Sequence, residues 1–186
     1  MLQTSGQQKS NTAAVVLIPP QTLWPTIQAI RSQYDRHVNR WMPHITMLYP
    51  FRPHSLFNNI APELSESCKH IQPFELRLSY VRYSQHDGDR FIMWLAPEPH
   101  APLIQLQETI QQVAPDCNDV TQFENGWQPH LTVGQIDGVD NFRNVWRTIQ
   151  ANWIPIEFTV RSVALIYRNN HPDDVFRVWR EFPLGE

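Results

Sequence analysis

One six-residue pattern, Trp-x-Pro-His-[Ile/Leu]-Thr, occurs twice in this chain. Trp41-Met42-Pro43-His44-Ile45-Thr46 returns as Trp127-Gln128-Pro129-His130-Leu131-Thr132, and each copy runs on into apolar residues, MLYPF or VGQI. Trp, Pro, His and Thr are identical in the two copies, and Ile is exchanged for Leu. His-x-Thr alone means little, because 8 His among 186 residues with this Thr content give about 0.4 copies by chance. The longer signature, at matching places in two halves, is a duplication.

The flanks of the signature repeat as well. AAVVLIPP (residues 13–20) and RFIMWLAPEP (residues 90–99) both read as strands ended by prolines. Leu23, Ile27, Ile30 and Tyr34, and then Leu103, Leu106, Ile110 and Val113, recur at three and four, the spacing of one helix face. After the signatures come two more such patterns, Leu56, Ile60 and Leu64, then Phe142, Val145, Trp146 and Ile149. PFELRLSYVRYSQ (73–85) then matches PIEFTVRSVALIYRN (155–169), each with a Pro start and alternating Phe74, Leu76, Leu78 or Ile156, Phe158, Val160. A last strand closes each half, RFIMWL or FRVWREF, after turn-like HDGD and NNHPDD.

This order predicts an α+β fold, bilobal and internally duplicated. Two small, mostly antiparallel sheets form a central cleft, with helices on the outside. Residues 1–12 are expected to be a disordered polar tail, and 13–186 one bilobal domain whose lobes are built from repeats 13–89 and 90–186. A pseudo-two-fold axis would bring the two signature strands face to face.

Composition narrows the function. No apolar run approaches the roughly 18 residues of a membrane span, and MLQTSGQQKSNT has no apolar core for a signal peptide. A net charge of -3 argues against gripping long duplex nucleic acid by phosphate neutralisation. Two cysteines, Cys68 and Cys117, suit a reducing, cytoplasmic setting.

Side chains alternate faces along a strand, so His and Thr of His-x-Thr share one face while Ile45 and Leu131 point into the core. Two such strands around a cleft supply two imidazoles and two hydroxyls. That set suits phosphodiester chemistry with no cofactor or metal. One neutral His accepts a proton from the attacking oxygen, and the other, protonated, donates to the leaving oxygen. The Thr hydroxyls donate to the non-bridging phosphate oxygens.

On these residues the chain resembles the 2H phosphoesterase superfamily, which includes 2′-5′ RNA ligase-like proteins and cyclic phosphodiesterases and is defined by two His-x-Thr/Ser motifs on pseudo-symmetric strands. The resemblance covers nearly all of the chain beyond the tail. It implies a ribose 2′,3′-cyclic phosphate, a 2′-5′ linkage or a related ester as substrate, with a nucleotide or short RNA end as partner. It places the acid and base on His44 and His130, and phosphate holding on Thr46 and Thr132. Many RNA-ligase-like relatives carry an Arg shortly after the second motif, where this chain has Gly134-Gln135. Arg52 and Arg168, each following a strand, are the candidate substitutes, and Tyr167 is a further candidate substrate contact. Two other readings stand beside hydrolysis: a nucleotide-binding module without turnover, and reversible 2′-5′ RNA ligation.

Trp41 and Trp127 are expected to pack structurally. Tyr49 and Phe51, odd-numbered against His44, are expected on the opposite, core face. His37, His54, His70, His86, His100 and His171 receive no role.

Overall fold

The computed structural model describes residues 8–86, 88–172 and 174–186. Strand β1 (Ala13–Leu17) is followed by helix α1 (Trp24–Tyr34), strand β2 (Ile45–Leu48) and helix α2 (Phe57–Lys69). Next come β3 (Phe74–His86), β4 (Arg90–Glu98), α3 (His100–Gln111) and β5 (Leu131–Asp137). Helix α4 (Val139–Asn152) and strands β6 (Ile156–Val160), β7 (Ser162–Tyr167) and β8 (Arg177–Pro183) complete the chain. Prolines punctuate these elements: Pro25 sits in the first turn of α1, where its missing N–H is harmless, and Pro99 caps α3.

The strands form two four-stranded antiparallel sheets, in the orders β2-β1-β7-β8 and β5-β4-β3-β6. Each sheet therefore carries a signature strand at one edge, next to the strand that opens its half of the sequence. The lobes do not coincide with residues 13–89 and 90–186, however. β3 ends in a short turn and hairpins onto β4, from Arg77↔Glu98 to His86↔Arg90, so it joins the second sheet. The segment 155–169 is also two strands rather than one. It changes sheets at Arg161, with β6 pairing with β3 and β7 pairing with β1. Each lobe thus takes strands from both halves of the sequence.

Two helices are exchanged as well. α1 leaves the first sheet and packs on β5 of the second, and α3 leaves the second sheet and packs on β2 of the first. α2 covers β8, and α4 covers β3, β4 and β5. One continuous core results, containing Val15, Leu17, Ile45, Leu76, Met93, Leu106, Leu131 and Val133, each 3% exposed or less. Pseudo-symmetric ion pairs close the ends of the exchanged helices. Arg36, just past α1, binds Asp137 at the end of β5, and Asp116, just past α3, binds Arg52 beyond β2.

The expected disordered tail over residues 1–12 does not hold for its last residues. Residues 1–7 lie outside the described residues, but Lys9 bonds Asp119 at 2.6 Å. The backbone of Ser10 pairs with Phe51, and Thr12 O accepts the amide of Arg168 at 2.9 Å, continuing the β1–β7 ladder. Among the described residues no helix is long and apolar enough to cross a membrane.

Candidate active site

Pro43 and Pro129 set the approach to the two histidines, because a residue before proline is pushed out of the helical region into extended backbone. The preceding carbonyls then meet the rings two residues on. His44 Nδ1 bonds Met42 O at 2.7 Å, and His130 Nδ1 bonds Gln128 O at 2.7 Å. A carbonyl only accepts, so Nδ1 carries the proton of each neutral ring and Nε2 keeps the free lone pair. The duplicated sequence therefore yields two histidines in one tautomer, each presenting the same nitrogen.

Both signature strands also carry a bulge at the residue after Thr. Val16 pairs with Thr46 and Val15 with Leu48, passing over Met47. Trp94 pairs with Thr132 and Met93 with Gly134, passing over Val133. An extra residue in one strand switches the faces of everything after it. Tyr49 is thereby turned onto the His44–Thr46 face, contrary to the expectation from simple alternation, and Gln135 comes onto the His130–Thr132 face. Tyr49 packs with Ala14, Val16, Ala164, Ile166 and Phe176, a small apolar floor separate from the main core. Phe51, beyond the end of β2 where the alternation no longer applies, is fully buried in the main core.

Aromatic rings support both imidazoles. Trp41 stacks on His44 with centroids 4.7 Å apart, and on Phe176 at 3.7 Å. His130 has Trp94, from the neighbouring strand, at 5.8 Å. Trp127 plays a different part from Trp41: its indole N–H donates to Thr46 O at 3.0 Å and ties the second signature directly to the first.

Burial pushes the His44 pKa down to about 4; the Met42 carbonyl opposes this, and the charges of Arg31 and His130 reinforce it. His130 is also lowered by burial, with the Gln128 carbonyl opposing, although the residue keeps exposed surface at the cleft. The Arg31 charge has a structural source. Arg31, only 2% exposed, donates from Nε to Asp35 Oδ2 at 2.8 Å and from an η nitrogen to Trp41 O at 2.9 Å. Asp35 in turn accepts the His37 amide at 2.9 Å. This buried pair at the end of α1 pins the loop whose last residues are Trp41 and His44.

The arginine and tyrosine candidates separate. Arg168 follows β7 on the apolar-floor side, with its guanidinium 5.6 Å from the Phe176 ring. Arg52 does not reach the cleft. It is 4% exposed, and both its terminal nitrogens engage Asp116, one at 2.8 Å. Tyr167 is also elsewhere: it opposes Ala13 of the main core and stacks on His54 at 4.0 Å, against α2. Alternation along β7 puts Arg168 and Tyr167 on opposite faces. The Gln135 side chain accepts the Arg36 amide at 2.9 Å. Among the described residues no three His, Cys, Asp or Glu side chains form a metal-holding group.

The 2′-5′ RNA ligase superfamily model matches residues 19–172, which include both signatures, all four helices, the whole second sheet and β2 and β7 of the first. The chain belongs to this superfamily. A Geobacillus kaustophilus protein named "Putative phosphoesterase" is 24% identical over 155 residues, 83% of this chain and 86% of that one. One from Oceanobacillus iheyensis, with the same name, is 23% identical over 172 residues, 92% of this chain and 96% of its own. Among solved structures, TT0787 of Thermus thermophilus aligns with TM-score 0.61 at 16% identity, over 94% of this chain and 98% of its own. Escherichia coli LigT complexed with 3′-AMP aligns with TM-score 0.57 at 14% identity, over 96% of this chain and all of its own. These two share the fold.

Within this 2′-5′ RNA ligase superfamily scaffold, sequence reasoning overlooked Arg31, Asp35, Trp94 and Phe176. Arg31 and Asp35 stand at i and i+4 on a helix, an ion-pair spacing readable from sequence. Their burial is not readable there, because it depends on α1 crossing to the other lobe. Trp94 reaches His130 only through the strand register.

Proposed function

We propose that this protein is a phosphoesterase that opens ribose 2′,3′-cyclic phosphates without a metal ion, with His44 as general base and His130 as general acid. The observation that carries this reading is the mirrored pair of Nδ1–carbonyl bonds, which leaves both Nε2 atoms available. His44 Nε2 takes a proton from water as its oxygen attacks phosphorus. The bond from phosphorus to one ribose oxygen breaks, and Nε2–H of protonated His130 gives that oxygen its proton. Thr46 and Thr132 donate to the non-bridging oxygens, where charge grows. The roles follow from environment. His44, at about 4 and beside the Arg31 charge, resists protonation. For His130 no cation is among the causes of its shift, so an arriving phosphate charges it more readily. Capture of 3′-AMP by E. coli LigT supports a ribose phosphate as ligand.

A second reading, nucleotide binding without turnover, is favoured by one observation: Gln135, at the place where many relatives have Arg, spends its side chain on the Arg36 amide.

Incubation with the four nucleoside 2′,3′-cyclic phosphates in EDTA, beside His44→Ala and His130→Ala, decides between the two. Turnover by the wild type, abolished by both substitutions, is the expected result. Activity lost in EDTA and restored by metal would overturn the mechanism, and binding without product would establish the second reading.

A further inference from the structure

Two guanidinium groups converge on one turn beside the cleft. Arg40 donates to Pro172 O at 2.6 Å, and Arg168 donates to Asn169 O at 3.0 Å and His171 O at 3.3 Å. Arg31, Arg36 and Arg52 each have a carboxylate partner. Among the described residues none lies within ion-pair distance of Arg40 or Arg168. Asp174, in the same loop, is already bonded to the Asn169 and Val175 amides and to Arg177. Two like charges held close together repel, and an anion between them removes that cost.

The turn lies next to the reacting groups. Arg40 directly precedes Trp41 in the chain, and Arg168 sits over Phe176, which stacks on Trp41, which stacks on His44. Both guanidinium charges also act on the Tyr49 hydroxyl, opposing the rise that burial causes in its pKa. On the Arg40 side of the turn an open pocket of about 290 Å³ is lined by Arg36, His37, Asn39, Arg40 and Pro172, with Arg168 outside its lining. It has room for a hydrated phosphate.

We infer that Arg40 and Arg168 form a second anion site, which takes a phosphate of the substrate other than the one being cleaved. Such a phosphate is either the 5′-phosphate of the same nucleotide or the next internucleotide phosphate of a short RNA end. The site rests on the proposed function in one respect, that the reacting phosphate lies between His44 and His130. It gives the protein a preference for phosphorylated nucleotides or oligonucleotides over a bare nucleoside cyclic phosphate. Charge-assisted, forked contacts from arginine suit this task.

Calorimetry of the full chain with 3′-AMP, adenosine 3′,5′-bisphosphate and the dinucleotide ApAp (3′-phosphorylated) tests it. One of the two-phosphate ligands should bind about tenfold tighter than 3′-AMP, and which one does so names the source of the phosphate. Arg40→Met and Arg168→Met should each remove that advantage while changing 3′-AMP affinity by less than about twofold. Equal affinity for all three ligands, or an advantage that survives both substitutions, overturns the site. A measurement without variants separates this site from the functional reading: titration with inorganic phosphate, following the arginine Nε–H resonances. If no nucleotide binds but phosphate still moves the Arg40 and Arg168 signals, the cleft reading falls and the anion site stands. If those signals stay put, the anion site is overturned.

Discussion

Leu76 and Phe158, which occupy equivalent places in the two halves of the sequence, lie opposite one another where β3 pairs with β6. Around them Phe74 meets Val160 and Leu78 meets Ile156, so the ladder is symmetric about this pair. The pseudo-two-fold axis runs between Leu76 and Phe158. Each half contributes its own copy of the same strand to the join, so neither half can complete its sheet alone.

The lobes should therefore unfold together. Leu76→Ala, at a site 1% exposed, should destabilise by about 2–5 kcal/mol, and tryptophan fluorescence and far-ultraviolet circular dichroism should still report one coincident denaturant transition. Two separated transitions would show that the join is weaker than the lobes it links.

At Gly134, β5 passes close to Tyr34, the last residue of α1. A Cβ there would lie 2.8 Å from the Tyr34 Cβ and 3.3 Å from its carbonyl oxygen. Neither contact is the end of a flexible side chain, so the backbones would have to separate. Gly134→Ala should destabilise by about 1–3 kcal/mol, measured by urea denaturation. A neutral result would mean that the helix shifts without penalty.

Breaking the Arg31–Asp35 pair should cost more than deleting it. Arg31→Met leaves the Asp35 carboxylate, 6% exposed, without its partner, a loss of about 3–5 kcal/mol. The double variant Arg31→Met/Asp35→Leu should recover most of it. The pair also positions His44 through Trp41. With the Arg31 charge gone and Asp35 remaining, the acid limb of the pH–rate profile should move to higher pH. A stability loss with an unmoved profile would make the pair merely structural.

Hydrolysis needs His44 deprotonated and His130 protonated. The rate in kcat/KM should rise through the His44 pKa near 4 and fall through that of His130, which burial holds below 6.5 in the free protein. The profile should be a bell on the acid side of neutrality. An optimum above pH 7 would reverse or remove these assignments.

His44 also links stability to pH. Its folded pKa of about 4 lies below the ordinary 6.5. Between those values the unfolded chain binds a proton that the folded one refuses. The His44 contribution is complete above about pH 6.5 and is lost as pH falls toward 4. His44→Phe should flatten the stability–pH curve in that window by up to one proton's slope, about 1.4 kcal/mol per pH unit. An unchanged slope would show that the ring is protonated at little cost.

The sequence alone determined the duplication, the four helices and the residues of the two signatures, because these depend on local spacing. Period-four apolar residues make a helix face wherever they sit, and Pro-His-x-Thr dictates an extended entry and a shared His–Thr face. The equivalence of Leu76 and Phe158 could also be read from the matching strands. Their contact could not, because pairing between residues 82 apart in the chain leaves no local trace. The bulges at Met47 and Val133 were equally hidden, and they turned Tyr49 and Gln135 toward the cleft. Tertiary structure sorted the candidates that share a local context. Arg52 and Arg168 both follow strands, yet Arg52 is spent on Asp116 and Arg168 has no carboxylate partner among the described residues, while Tyr167, one residue earlier, faces the opposite way. The exchange of α1 and α3 between lobes made Arg31 a buried support for His44. A helix pattern specifies which face is apolar, but which sheet that face meets depends on how the whole chain closes.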